Sequence, residues 1–233
     1  MDIPKGLEAI IFDFDGVIVD SESVHFRLFR DLLAEHGIVL TREDYDAVYL
    51  GMDDRECFTT ILEAHGKDAT RPQVSALIER KSALLVSELT RRVPLLPGVD
   101  HLIRGAASLV PLAICSGALR REIEAMLRMA GLFEAFVGIV SAEDVVRGKP
   151  DPEGYRAALA LLHRSIPRDS KINPRACLVV EDSIAGIGAA RAAGMRCLAV
   201  TNSYPAEALR TAGADVVVTT LEGDPLARVP PLI

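Results

Sequence analysis

The chain has 233 residues, 49% hydrophobic and 25% charged, with a formal net charge of −7. That is material for one or two globular domains with a full core. The acidic balance, with no basic stripe interleaved with aromatics, argues against a nucleic-acid partner. No apolar run is long enough to cross a bilayer, and "MDIPKGLEAI" lacks the basic-then-apolar order of a secretory leader. Cys57, Cys115, Cys177 and Cys197 form no C-x-x-C pair and have no His at metal-finger spacing. Buried free thiols and a cytoplasmic setting are therefore expected.

In chain order, "AIIFDFDGVIVD" opens with an apolar run, Ala9 to Phe12, that drives into Asp13, Phe14 and Asp15 and turns at Gly16. A buried strand ending on two carboxylates is costly unless something cationic compensates them. Past Asp20 the period becomes helical. "SESVHFRLFRDLLAEHG" places Val24, Leu28, Phe29, Leu32 and Leu33 on one face, with Ser21 as the expected N-cap and Gly37 as the stop. "TREDYDAVYLG" starts like a capping box, with Thr41 and Asp44 three apart. "DDRECFTTILEAHG" and "PQVSALIERKSALLVSEL" continue as helices, and "VPLLPGV" reads as a linker.

Beyond the linker, short apolar strands alternate with helices. The strands are "LVPLAICSG", "AFVGIVSA", "ACLVVED", "MRCLAV" and "ADVVVTTL"; the helices are "ALRREIEAMLRMAG", "DPEGYRAALALLH" and "SIAGIGAARAAG". The alternation predicts a doubly wound, Rossmann-like parallel sheet with helices on both faces. An all-helical segment, residues 19–94, interrupts an α/β core made of residues 1–18 and 95–233. "GIGAAR" mimics a dinucleotide fingerprint, but its glycines fall inside the helix; close packing of a small-residue face on the sheet explains it better. An EF-hand loop from Asp13 fails because Val17, Ile18 and Val24 occupy its required polar and glycine positions.

Ligands of such sheets bind beyond the carboxyl ends of the strands. Those ends carry Asp13 and Asp15, then Ser116 and Gly117, then Lys149 in the loop after the third strand, then Glu181, Asp182 and Ser183. Each has an ordinary explanation: acids and serines form turns and caps, and most lysines are solvated. Their arrival together at one edge is what carries information. At an effective dielectric of about 20, two carboxylates about 4 Å apart repel by roughly 4 kcal/mol. A Mg²⁺ ion removes that cost and suits an all-oxygen donor set. Asp13 and Asp182 are expected to supply oxygens, with Glu181 bound directly or through water. The same ion would let Asp13 attack a phosphoryl group, with Asp15 as general acid and base. Ser116 and Lys149 would hold the other phosphoryl oxygens.

These blocks, "DFDGV", "CSGA", "RGKPDP" and "VVEDS", resemble the four motifs of the haloacid dehalogenase (HAD) superfamily, in order and across essentially the whole chain. The helical insert looks like the cap of subfamily I. The resemblance implies Asp13 as nucleophile and Asp15 as acid/base, with the Asp15 backbone carbonyl also on the metal. "DFDGVIVDSESVHFRLF" and "ERK" look like the β-phosphoglucomutase-like branch, which implies His25 and Lys81 near the substrate. Each also has an ordinary reading, His25 as a packed helix residue and Lys81 as a snorkelling one. Where that mutase carries Lys before Gly this chain has Leu50, and Ala118-Leu119 replaces its Ser-Lys pair. Losing contacts to a second phosphate favours hydrolysis. Arg55 is a candidate for gripping a distal anion, or simply pairs with a neighbouring acid. The expectation is a Mg²⁺-dependent phosphatase acting on a small phosphorylated metabolite through an aspartyl-phosphate. The alternatives are a phosphomutase and, in another class, a non-catalytic phospho-receiver or scaffold.

Overall fold

The computed structural model describes residues 2–89, 91–167 and 171–232. The opening apolar run is β1 (Ala9–Phe12), buried along its length. It lies inside a six-stranded parallel sheet with β2 (Leu112–Cys115), β3 (Gly138–Val140), β4 (Cys177–Glu181), β5 (Arg196–Val200) and β6 (Val216–Val218), in the order β3-β2-β1-β4-β5-β6. Side chains alternate between two cores, as period-2 geometry requires. Ile10, Phe12, Leu112, Ile114, Leu178 and Val180 face one core; Ala9, Ile11, Ala113, Cys115, Cys177 and Val179 face the other. The first core is closed by α5 (Val99–Ala107) and α6 (Arg120–Ala130), the second by α7 (Glu153–Arg164), α8 (Ile184–Ala192) and α9 (Ala206–Ala212). All four cysteines are free and buried. Among the described residues no helix is long and apolar enough to cross a membrane.

The sheet order reverses at β1, whose neighbours are β2 and β4. Phe12 pairs with Val180, so Asp13 and Glu181, the next residue on each strand, emerge side by side at the switch point. Between β1 and α5 lie the inserted helices: α1 (Glu22–Ala34), α2 (Arg42–Asp44) running into a π-helical turn at Tyr45–Tyr49, α3 (Asp54–Ala64) and α4 (Arg71–Leu89). They bury a third apolar cluster of their own, including Phe29, Leu33, Phe58, Ile61, Leu62 and Leu77. Two connecting segments run side by side where this unit meets the sheet. Val19 bridges Leu95, the Asp20 amide donates to the Pro94 carbonyl at 2.8 Å, and the Leu96 amide donates to Ile18 at 3.0 Å.

Two local readings change. Ser21 does not cap α1: its own backbone is already helical and its hydroxyl donates to the Asp15 carboxylate instead. Helices α5 and α9 were not expected, although Val99, Leu102, Ile103 and Ala106 carry the helical spacing and are buried. Their shortness, beside a Pro-Gly linker and a strand, masks that period. By contrast, Thr41 accepts from the Asp44 amide at 3.1 Å, the N-terminal half of the expected box.

Candidate active site

One cleft between the sheet's carboxyl edge and the inserted helices is lined by Asp13, Asp15, His25, Ser116, Gly117, Lys149 and Asp182 together. Its core wall is assembled from strand ends. Lys149 Nζ lies 2.9 Å from Asp13 Oδ1 and 2.6 Å from Glu181 Oε1. Asp13 Oδ1 also accepts from the Phe14 amide at 2.7 Å. Glu181, fully buried at the end of β4, has both oxygens occupied: Oε1 also accepts from the Tyr155 hydroxyl at 2.7 Å. Its Oε2 accepts from the amides of Asp182 and Ser183, each at 3.0 Å, and from the Ser183 hydroxyl at 2.9 Å. Ser183 in turn accepts from the Gly186 amide at 3.0 Å, capping α8 while tethering Glu181. Asp182 takes the Ser203 hydroxyl.

Two glycines make this proximity possible. Gly16 has φ +73°, and a Cβ there would fall 2.0 Å from Asp182 Oδ2. Gly186 lets α8 approach so closely that a Cβ would fall 1.7 Å from Glu181 Oε1. The "GIGAAR" segment is therefore a packing face, as its position inside the helix implies.

The electrostatics follow from burial. Desolvation, reinforced by Glu181, pushes the Asp13 carboxyl up to about 7 against the opposing pull of Lys149. Burial, Glu181 and Asp13 hold Asp182 well above the usual carboxylate range. Burial works against the charges of Glu181 and Lys149, but each is the other's counter-ion: Glu181 ends below its ordinary value and Lys149 above. One oxygen each from Asp13, Glu181 and Asp182 lie within 4.8 Å of one another. An all-carboxylate set, buried and short of positive charge, fits a hard divalent cation. Asp13 and Asp182 have the capacity to hold it; Glu181 is already saturated by protein donors.

The cap wall carries a second charged chain. Asp15 accepts from Ser21 and lies 3.4 Å from His25 Nε2. Lys81 Nζ lies 2.7 Å from His25 Nδ1 and 2.5 Å from Asp54 Oδ1. Burial would raise Asp15, but His25 and then Ser21 outweigh it and the carboxyl lies below its ordinary value. Burial and Lys81 oppose charge on His25, and the carboxylates Asp15 and Asp54 outweigh them, raising it.

The predicted residues do not all converge. Asp13, Asp15, His25, Ser116, Gly117, Lys149 and Asp182 line the cleft. Ser116 Oγ accepts from the Ala118 amide at 3.0 Å. Lys81 is 0% exposed and sits behind His25 rather than on the cavity surface. Glu181 likewise sits behind Lys149. Arg55 is exposed and is not part of the lining. Sequence reasoning did not find Tyr155, Ser203 or Asn202, whose side-chain amide donates to the Gly16 carbonyl at 2.7 Å. It also missed the clasps between cap and core: Arg121 Nε on Ser82 Oγ at 2.7 Å, Arg121 on Glu79 at 2.5 Å, and the Tyr204 hydroxyl on the Leu50 carbonyl at 3.0 Å. Single polar residues on separate helices and loops leave no spacing signal.

The family model for haloacid dehalogenase-like hydrolases matches residues 7–194. The phosphorylated carbohydrates phosphatase of Thermotoga maritima is 31% identical over 215 residues, covering 91% of this chain and 94% of that protein. The β-phosphoglucomutase of Bacillus subtilis is 30% identical over 218 residues, covering 91% and 89%. The crystal structure of CbbY from Rhodobacter sphaeroides in complex with phosphate matches with a TM-score of 0.78 at 28% identity, covering 92% of this chain and 95% of that one.

Proposed function

Because the chain belongs to the haloacid dehalogenase-like hydrolases and is a phosphatase of that family, we propose that it hydrolyses a small phosphorylated metabolite, a sugar phosphate or a close analogue, with Mg²⁺ and through phosphorylated Asp13. The observation that carries this reading is the meeting of Asp13, Lys149 and Asp182 at the switch point, with Asp15 in the same cleft. The relatives point the same way: one is a phosphorylated carbohydrates phosphatase, and CbbY was crystallised with phosphate.

A divalent ion held by Asp13 and Asp182, with the Asp15 backbone carbonyl, would neutralise the charge between nucleophile and phosphoryl oxygens. Asp13 Oδ1 is held by Phe14 and Lys149, which orients the carboxylate and leaves Oδ2 to attack phosphorus. As that P–O bond forms, the bond to the substrate's alkoxide breaks, and a proton held by His25 passes through Asp15, itself ionised in the free site, to the leaving oxygen. Asp15 then takes a proton from a water whose oxygen attacks phosphorus; the bond to Asp13 breaks and phosphate departs. His25 stands behind Asp15 as the group that keeps a proton in reserve, and Lys81 and Asp54 position His25. Lys149 and Ser116 hold the remaining phosphoryl oxygens, and Glu181 with Tyr155 holds Lys149. Residues 19–94 act as a cap whose clasps on α6 and Tyr204 keep water out.

Hydrolysis is favoured over phosphomutase action because Leu50 and Ala118, both in the lining, offer no ammonium or hydroxyl to a second phosphate. The test is phosphate release from a panel of phosphomonoesters, with Mg²⁺ and with EDTA. The expected outcome is release that EDTA abolishes and Mg²⁺ restores. Release indifferent to EDTA, or isomerised sugar phosphate as the product, overturns the reading.

A further inference from the structure

The loop that follows β5 carries Asn202, Ser203 and Tyr204 in a row, and each side chain reaches a different part of the molecule. Asn202 donates to the Gly16 carbonyl at 2.7 Å, Ser203 donates to Asp182 Oδ2, and the Tyr204 hydroxyl donates to the Leu50 carbonyl at 3.0 Å. The backbone of the loop is held by the sheet. The Thr201 amide donates to the Val218 carbonyl at 3.0 Å and the Asn202 amide to the Val200 carbonyl at 2.9 Å. Glu181 pairs with Ala199, so the end of β5 runs beside Asp182 and the loop starts within reach of it. Asn and Ser at a strand end are ordinary turn formers that bond nearby backbone. Here neither bond is local: Asn202 reaches across 186 residues and Ser203 across 21.

These contacts wedge one oxygen of Asp182. On one side of Oδ2 stands the Ser203 hydroxyl. On the other stands Gly16, where a Cβ would fall 2.0 Å from that oxygen, and Gly16 is itself tied to Asn202. Asp182 is 3% exposed, so its orientation is set by these neighbours rather than by solvent. Pinning Oδ2 fixes the rotation of the carboxylate and with it the direction of the second oxygen. Ser203 and Asp182 both line the cleft.

We infer that Ser203 is a positioning residue for the divalent-ion site: its hydroxyl sets the orientation in which Asp182 meets the ion, and metal affinity depends on it. The inference rests on the Mg²⁺ reading of Asp13 and Asp182. Hydrogen-bond partners that orient a ligating carboxylate are typically worth about 10–100-fold in metal affinity. Ser203 acts on the ion through Asp182, so its loss changes how much metal is needed more than the rate once the site is full.

The test is Mg²⁺ titration calorimetry on the full chain. Ser203→Ala is expected to raise the Mg²⁺ Kd about tenfold or more, while Ser203→Thr, which keeps the hydroxyl, stays within about threefold. Tyr204→Phe removes a hydroxyl from the same loop on its cap side and should leave the Mg²⁺ Kd within about twofold. The thermal midpoint of Ser203→Ala in EDTA should lie within about 4 °C of the unsubstituted protein, the scale of one hydrogen bond. Half-maximal phosphate release by Ser203→Ala should need about tenfold more Mg²⁺, with the rate at saturation within about threefold. An unchanged Kd in Ser203→Ala, an equal loss in Tyr204→Phe, or a loss that Ser203→Thr does not rescue overturns the inference and leaves the metal reading standing. Absence of Mg²⁺ binding by the unsubstituted protein removes the metal reading and the inference with it.

Discussion

Within one cleft, the core wall and the cap wall treat charge in opposite ways. On the core wall Asp13, Lys149 and Glu181 lock together at 2.6–2.9 Å, and Glu181 takes three further donors through its second oxygen. On the cap wall Lys81 ties His25 to Asp54, while burial and the charge of Asp54 push the Glu122 carboxyl above its ordinary value. The difference separates two tasks. Groups that must stand in one place for phosphoryl transfer are pre-organised by their neighbours, so little reorganisation is left to the reaction. The chain on the cap wall, from Asp15 through His25 and Lys81 to Asp54, holds the carboxylate proposed as acid and base instead.

Breaking the core wall at its centre has the largest expected effect. Asp13→Asn should lower phosphate release by on the order of 10⁴-fold or more. Its thermal midpoint in EDTA should be unchanged or higher, because the substitution removes a buried carboxylate crowded by Glu181. Activity within tenfold of the unsubstituted enzyme would exclude Asp13 as nucleophile.

On the cap wall the sharpest cut is Lys81→Met. It leaves Asp54 on the cap wall without its buried counter-ion and should destabilise the protein by about 3 kcal/mol in urea unfolding, as breaking one side of a buried pair does. A loss below about 0.5 kcal/mol would mean the pair is solvated.

The walls should also differ in their response to pH and metal. A carboxyl whose pKa is raised on folding binds more protons folded than unfolded, so its stabilising effect is complete at low pH and fades as pH climbs to the folded value. For Asp13 that window runs from 3.8 to about 7, with Asp182 acting in the same sense. Asp15 and Glu181 shift downward and act in the acid range, below their ordinary values. In EDTA, stability should therefore fall between pH 5 and pH 7 by up to ~3 kcal/mol. Mg²⁺ should offset the fall, so that its effect on the thermal midpoint grows with pH. A metal effect that is flat from pH 5 to 8 would contradict the picture of a charge-crowded core wall.

The smallest expected effect belongs outside both walls. Arg55→Ala should leave kcat/KM within about twofold and stability within about 0.5 kcal/mol, as for other surface positions. A tenfold rise in KM would bring Arg55 back to the substrate.

How legible each wall is in the sequence follows from how it is built. Asp13, Lys149 and Asp182 stand beside strand ends or in a strand-following loop, and a parallel sheet brings all such ends to one edge whatever the detailed packing. Ser183 could be read as a helix cap and is one, but its second bond, to Glu181, was not readable. Ser21 looked like a cap and is committed to Asp15, because a tertiary carboxylate outcompeted the local amide. Tyr155 and Ser203 sit on an apolar helix face and in a loop, where nothing local distinguishes them from packing or turn residues. Glu22 and Glu122 look like ordinary acids in the first turn of a helix. Only the closure of the inserted helices onto α6 buries them in a shared cleft.

By itself the sequence determined the alternation of strands and helices, the helical insert, and the order in which the acids, the serine and the lysine reach the sheet edge. Hydrophobic periodicity and strand-end chemistry are local properties of the chain. Tertiary structure alone decided which carboxylates meet a counter-ion, that Lys81 serves His25 and Asp54 from behind the cavity, and that Arg55 is exposed outside its lining. Those outcomes depend on distances between residues far apart in the chain, and a difference of a few ångströms in buried surroundings is enough to turn a solvated charge into a counter-ion or an unpartnered acceptor.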